Sequence, residues 1–259
     1  MTSPPNVSIE AIEAAITAAY EGPAEEQVHH FRCTLADFMR LALKDRLIDR
    51  RGLREPSFNP YKETLSFLTS PTPMQCCPRS WFKDWVFKLR EMNPELPGKL
   101  RVNSPWLPQI FRGQYLGGCI GTYASFFPRF PSMPLIILEA GYAKSYDDLV
   151  DDATLLLEGA EGEINMVIIV KMEPLVEGET SFKSGFTEIW KFDEEDMKAK
   201  IYGPRLDLLG DQSSSIAPKD DPLPLKLDDL RDELEISVQQ HFYNENREAL
   251  CEQSLSLLQ

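Results

Sequence analysis

Two charged residues close two otherwise apolar runs, and their types are those of a catalytic pair. Glu139 follows Leu135-Ile136-Ile137-Leu138, and Lys171 follows Met166-Val167-Ile168-Ile169-Val170. A carboxylate placed after such a run is costly to bury unless an opposite charge or a metal ion compensates it. The residues alone leave two readings open. Glu139 and Lys171 form an ion pair at a sheet edge or reach water, or they belong to a site that is, or once was, catalytic.

The elements that must position them follow from the pattern between the two runs. Each run is too short for an independent helix and suits a strand covered on both faces. Between them, Ser145 and Asp148 stand at capping-box spacing, with Asp147 and Asp148 in a first turn where the helix dipole favours negative charge. Leu149, Val150, Ala153, Leu156 and Leu157 then recur at helical spacing, and Gly159 and Gly162 end the helix and turn the chain back. Strand, helix and strand joined by short loops predict a crossover between parallel strands over residues 134–172. Side-chain alternation places Ile137 and Glu139 on one face, as it does Val167, Ile169 and Lys171. Both charged residues therefore sit at the carboxyl edge of the sheet, where open α/β sheets build their sites.

Around this unit the sequence predicts an α/β fold, with a mixed sheet centred on the parallel βαβ unit and helices at both ends. A chain of 259 residues with 42% hydrophobic content is long enough to bury a full core. The expected organisation is an N-terminal helical segment over 1–50, an α/β core over 51–210, a polar Pro-rich linker over 211–224 and a C-terminal helix over 225–259. Within the first segment, Val28, Phe31, Leu35, Phe38, Met39 and Ala42 recur at helical spacing and predict one long helix, with His29 and His30 near its start as boundary residues. Residues 51–64 read as a loop and Glu63 to Ser70 as a short strand. A helix is expected from about Ser80 with a core stripe of Trp81, Phe82, Trp85 and Leu89, and strands are expected over 121–127 and 184–193. Leu230, Leu234, Val238 and Phe242 mark the apolar side of the last helix, with Asp228 as its cap.

Composition limits the function classes. The formal charge of −14 disfavours a nucleic-acid surface, which needs clustered Lys and Arg. The basic islands Arg46–Arg54 and Arg79–Arg90 read as solvated helix ends. Protein partners, or self-association through the terminal helices, are the expected contacts. No membrane span is expected, and the N-terminus does not read as a signal peptide, so an intracellular protein, cytoplasmic or nuclear, is expected. The five cysteines contain no CxxC pair and predict neither a zinc site nor a disulfide framework. No GxSxG, HExxH or P-loop is present, and GQYLGGCIG lacks the order of a dinucleotide loop.

The order helix (80–92), strand (121–127), strand with Glu139, helix (145–158), strand (166–172) resembles the core of the PD-(D/E)XK, or restriction-endonuclease-like, superfamily. FFPRFPSMPLIILEAGYAKSYDDLVDDATLLLEG with EINMVIIVKM is similar to fungal proteins of unknown function that share a PxLxxExGxSES…DAxxWLE…VxxVIL pattern. The resemblance covers roughly residues 120 to 192. Active members of that superfamily are metal-dependent nucleases. Two strand acids hold Mg²⁺, and a nearby Lys orients the attacking water and stabilises developing charge. Carried onto this chain, the resemblance makes Glu139 the third-strand acid and metal ligand. Residue 141, where the Lys belongs, is Gly, so Lys171 or Lys144 stands as a displaced lysine. GTYASFF contains no acid, and Asp152, which borders the apolar face of its helix, becomes the second metal ligand. The resemblance thus implies a nuclease-fold domain, active or catalytically reduced, with residual Mg²⁺-dependent phosphodiester chemistry; the alternative is a non-enzymatic interaction or scaffold protein with an acidic surface.

Overall fold

Two neighbouring apolar strands form the middle of the molecule because each must be covered on both faces. In the computed structural model, β7 (Ile136–Gly141) and β8 (Met166–Met172) pair in parallel, with α4 (Tyr146–Gly159) as the connection between them. The structure describes residues 8–21, 26–45, 54–69, 71–92, 99–101, 111–127, 134–176, 179–209 and 227–256. Alternation along β7 and β8 sends Ile137, Val167 and Ile169 towards α4, and Leu138, Ala140, Ile168 and Val170 to the opposite side. There they meet α3 (Pro73–Met92) and the first half of α5 (Leu227–Ser256). The result is a helix–sheet–helix sandwich, the mixed α/β architecture expected from the pattern.

The large sheet has seven strands. The antiparallel strands β9 (Gly185–Asp193) and β10 (Lys198–Ile201) extend it beyond β8, and β6 (Ala124–Phe127) and β4 (Lys99–Arg101) extend it beyond β7. The short β11 (Leu206–Asp207) pairs with β9. A second sheet has four strands in the order β1 (Gln27–Arg32), β3 (Thr64–Thr69), β2 (Arg54–Asn59) and β5 (Cys119–Ile120). It shares a separate core with α1 (Ile9–Glu21) and α2 (Leu35–Asp45), through Ile12, Ile16, Phe38, Leu41, Phe58 and Phe67. Strand β1 draws the 1–50 segment into one sheet with strands of the 51–210 segment.

Three local expectations change. The single helix expected from Val28 to Ala42 is a strand followed by a helix. QVHHFR pairs residue by residue with TLSFLT of β3, and Thr34 then caps α2 by accepting from the Asp37 N–H at 3.2 Å. His29 and His30 therefore lie on a strand. The expected loop over 51–64 contains β2, whose register shifts between Arg54 and Ser57 where Pro56 interrupts it. Helix α3 starts a full two turns before Ser80, because Pro73 is pre-organised for the first helical position and the Thr72 hydroxyl accepts from the Gln75 N–H at 3.2 Å. The expected linker 211–224 and most of the Arg46–Arg54 island lie outside the described residues.

Helix α5 runs 30 residues, with Leu230, Leu234 and Val238 buried on one side. No helix among the described residues is long and apolar enough to cross a membrane. The start of α4 is closely specified. Ser145 Oγ accepts from the Asp148 N–H at 3.1 Å, and the Asp148 carboxylate accepts from the Ser145 N–H at 3.2 Å, which closes the capping box. Replacing Ser145 with Ala is expected to lower the unfolding free energy by about 1 kcal/mol, read as a shifted denaturant midpoint at an unchanged slope.

Candidate functional site

At the carboxyl end of β7 the chain turns back over itself within three residues. Gly141 makes this geometry available, because a Cβ there would lie 2.9 Å from the Leu149 side chain and 2.9 Å from Lys144 Cβ. The backbone of the turn is held from several directions. Gln75 of α3 donates to Ala140 O at 2.9 Å and accepts from the Tyr142 N–H at 2.8 Å, and Glu26 accepts from the Ala143 N–H at 3.2 Å. Held this way, the turn aims Lys144 inwards.

The Lys144 ammonium lies 3.0 Å from Asp152 Oδ2 and 3.8 Å from Glu139 Oε2. Lys144, Asp152 and Glu139 are 3%, 5% and 0% exposed. Ser57 Oγ of β2 donates to the other Asp152 oxygen at 2.8 Å, and the Tyr123 N–H donates to Glu139 Oε1 at 3.4 Å. Two carboxylates from different elements thus converge on one ammonium, out of water. In such surroundings a buried charge depends on its partner, and removing one member leaves another uncompensated.

Lys171 does not join them. The sheet register sets it opposite Gly141, while Glu139 faces Ile169, so Lys171 stands two residues beyond Glu139 along the strand direction. Its ammonium donates to Met172 O at 2.7 Å and Tyr142 O at 3.5 Å, and pairs with Glu173 at 3.6 Å. The Glu139–Lys171 ion pair open from the sequence is replaced by these contacts. Burial lowers the Lys171 pKa, against the opposing pull of Glu173.

The pattern YDDLVDD at the start of α4 has a structural use that spacing did not disclose. Three of its aspartates each receive one residue of the four-stranded sheet or its β2–β3 turn. Asp148 meets His30 of β1 at 3.5 Å, Asp151 pairs with Lys62, and Asp152 accepts from Ser57. These contacts fasten the small sheet over the carboxyl edge of β7. Between them remains a cleft of about 50 Å³, lined by His30, Ser57, Lys62, Lys144, Asp148 and Asp152 among others. That volume suits a few water molecules and is far below the roughly 300 Å³ at which ligand pockets begin. The described residues at its mouth set cations against carboxylates in pairs. A larger groove, about 700 Å³, lies between α5 and residues 180–182 and 208–209, and none of the convergent charges line it.

Sequence reasoning did not select Glu188. It is 1% exposed and accepts from Arg205 Nε at 2.6 Å, from the Tyr146 hydroxyl at 2.7 Å and from Trp190 Nε1 at 3.3 Å. Glu139, Ile169 and Glu188 are partners across three adjacent strands, so the two buried glutamates flank one isoleucine. The available signal was an acid on the Phe186–Trp190–Phe192 face of β9. Burial and the bond to Glu188 raise the Tyr146 pKa.

Among the described residues, no three His, Cys, Asp or Glu side chains converge as metal ligands. The Mg²⁺ implied by the resemblance does not fit the side chains as they stand, because an ammonium already lies between Glu139 and Asp152. Comparison of the chain with protein-family models, curated proteins and solved structures found no match.

Two outcomes follow. Gly141→Ala is expected to destabilise the fold by about 1–3 kcal/mol, as overpacking does, measured by chemical denaturation. The second concerns pH. The hydrogen bond to Asp148 raises the His30 pKa above its ordinary 6.5, and burial only partly opposes it. Burial pushes Asp148 up, but its bonds to His30 and Ser145 outweigh this and hold it below the ordinary 3.8. The raised His30 pKa stabilises the fold fully below about 6.5 and ceases to do so as pH rises through the folded-state value; the lowered Asp148 pKa contributes above about 3.8 and is lost in acid. Wild type is therefore expected to exceed His30→Gln in stability at pH 5.5. For so exposed a pair the margin is at most about 1 kcal/mol, and paired denaturation curves should show it closing by pH 8.5.

Proposed function

We propose that this chain is a catalytically reduced PD-(D/E)XK-like domain that serves as a non-enzymatic interaction module. The observation that carries the reading is the position of Lys144. Its ammonium compensates both carboxylates that a nuclease would use for metal, and all three groups lie beneath the four-stranded sheet. The order α3, β4, β6, β7, α4, β8, with three antiparallel strands and a parallel fourth, supports the relationship. The burial of Glu139 and the small adjacent cleft support the loss of activity, since about 50 Å³ is too little to seat a phosphodiester beside the carboxylates.

Two features favour protein over nucleic acid as the partner. The formal charge of −14 repels a phosphate backbone. Leu35, Tyr61 and Leu116 are 40%, 61% and 68% exposed. They lie near one another, because the Leu35 side chain packs over Gly117 and the Tyr61 ring meets Tyr115 at 5.9 Å. Exposed apolar side chains grouped in this way mark contact surfaces.

Calorimetric titration with Mg²⁺ and Mn²⁺ tests the reading, on wild type and on Glu139→Ala. No binding heat is expected from either protein, and no cleavage of single- or double-stranded DNA with either ion present. Metal binding by wild type that vanishes in Glu139→Ala, accompanied by cleavage, would restore the nuclease reading.

A further inference from the structure

We infer that the groove of about 700 Å³ between α5 and residues 180–182 and 208–209 is the docking site for a basic amphipathic helix of a partner protein. The inference does not depend on the preceding reading, because the groove lies on the α5 side of the large sheet, across from Glu139, Lys144 and Asp152. Its lining separates by type. Leu234 and Val238 of α5, Leu208 after β11 and the half-buried Phe182 give it an apolar base that continues the core beneath α5. Leu209, 49% exposed, carries that apolar surface out to solvent.

The charge at the rim is negative. Asp228, Arg231 and Glu235 are the charged residues among the described lining. Arg231 is committed to the wall itself, since its guanidinium donates to Leu208 O at 2.7 Å, to Asp207 O at 3.4 Å and to the Asp228 carboxylate at 2.8 Å. Glu235 is exposed and makes no hydrogen bond or ion pair among the described residues, and the same holds for Asp232 beside it on α5. An apolar channel with unpaired carboxylates at its edge complements a segment whose apolar anchors are flanked by Lys and Arg.

Dimensions and charge select the occupant. The lining residues of α5 run from Asp228 to Gln239, about 16 Å at 1.5 Å per residue, which matches about three turns of a helix presenting anchors at i, i+3 or i+4, and i+7. The same carboxylates repel nucleic-acid phosphates and anionic lipid headgroups. A second copy of the chain is disfavoured too, because the sequence LDDLRDELE would bring acids against acids.

The test is fluorescence anisotropy on the full chain with a labelled helical peptide of about 14 residues, Leu at the anchor positions and Lys elsewhere. A second peptide carries Glu in place of every Lys. Wild type should bind the Lys peptide at least about tenfold more tightly than the Glu peptide, with the difference shrinking in high salt. Asp232→Lys/Glu235→Lys should weaken the Lys peptide at least about tenfold, whereas Glu194→Lys/Glu195→Lys, the same charge change on exposed residues outside the groove, should stay within about twofold. Thr180→Trp, a large side chain at an exposed lining residue, should weaken it as strongly by filling the groove. Absence of binding by wild type overturns the inference, as does equal loss in the two charge-reversed variants or undiminished binding by Thr180→Trp. Self-association that Thr180→Trp abolishes would give the groove to a second copy and overturn it as well. If Asp232→Lys/Glu235→Lys does not fold, the Thr180→Trp comparison decides alone.

Discussion

The structure depends on one ammonium placed between two carboxylates where water does not reach. Lys144, Glu139 and Asp152 come from a turn, a strand and a helix, and no pair of them is adjacent in sequence. Each would be costly to bury alone, and together they offset most of that cost. Their meeting also sets the distance between β7 and α4 at the carboxyl edge, the same edge at which α/β sheets usually hold ligands. Here the edge is filled from within.

Helix α4 is the element that connects the two sheets. Its apolar face, with Leu149, Ala153, Leu156 and Leu157, packs on the large sheet. Its aspartates reach the other way, to His30, Lys62 and Ser57 of the small one. Negative charge at a helix N-terminus is favourable in its own right, so the same residues serve the helix and the junction. Asp148 does both most clearly, as the reciprocal partner of Ser145 and the acceptor for His30. Because the junction lies beside the buried Lys144–Asp152–Glu139 cluster, the small sheet that packs here also helps to keep those charges from water.

Gly141 and Lys144 are best understood together. The turn can fold Lys144 back over residue 141 only if that residue has no Cβ, since one would lie 2.9 Å from the lysine's own. A lysine at 141 and an inward Lys144 are therefore mutually exclusive in this backbone. Glu188 makes a related point on β9, the other neighbour of β8. Its carboxylate is buried yet satisfied by Arg205, Tyr146 and Trp190, so this edge of the sheet accommodates acids by giving each its own donors.

The sequence by itself determined the βαβ unit, the capping box, the faces of β7 and β8 and the inward position of Asp152. All of these follow from local periodicity and spacing, which the chain carries wherever it folds. It also disclosed that Glu139 needed a partner. Which partner was decided only by the tertiary structure. Lys171 and Lys144 have the same charge and both lie near the carboxyl end of a central strand, and the choice between them rests on register and on the fold-back at Gly141. The same holds for β1 and β2. QVHHFR satisfies a helical spacing as readily as a strand until TLSFLT pairs with it, and Pro56 obscures a strand whose neighbours supply its hydrogen bonds. Non-local pairing overrides local propensity where the backbone finds its partners far along the chain.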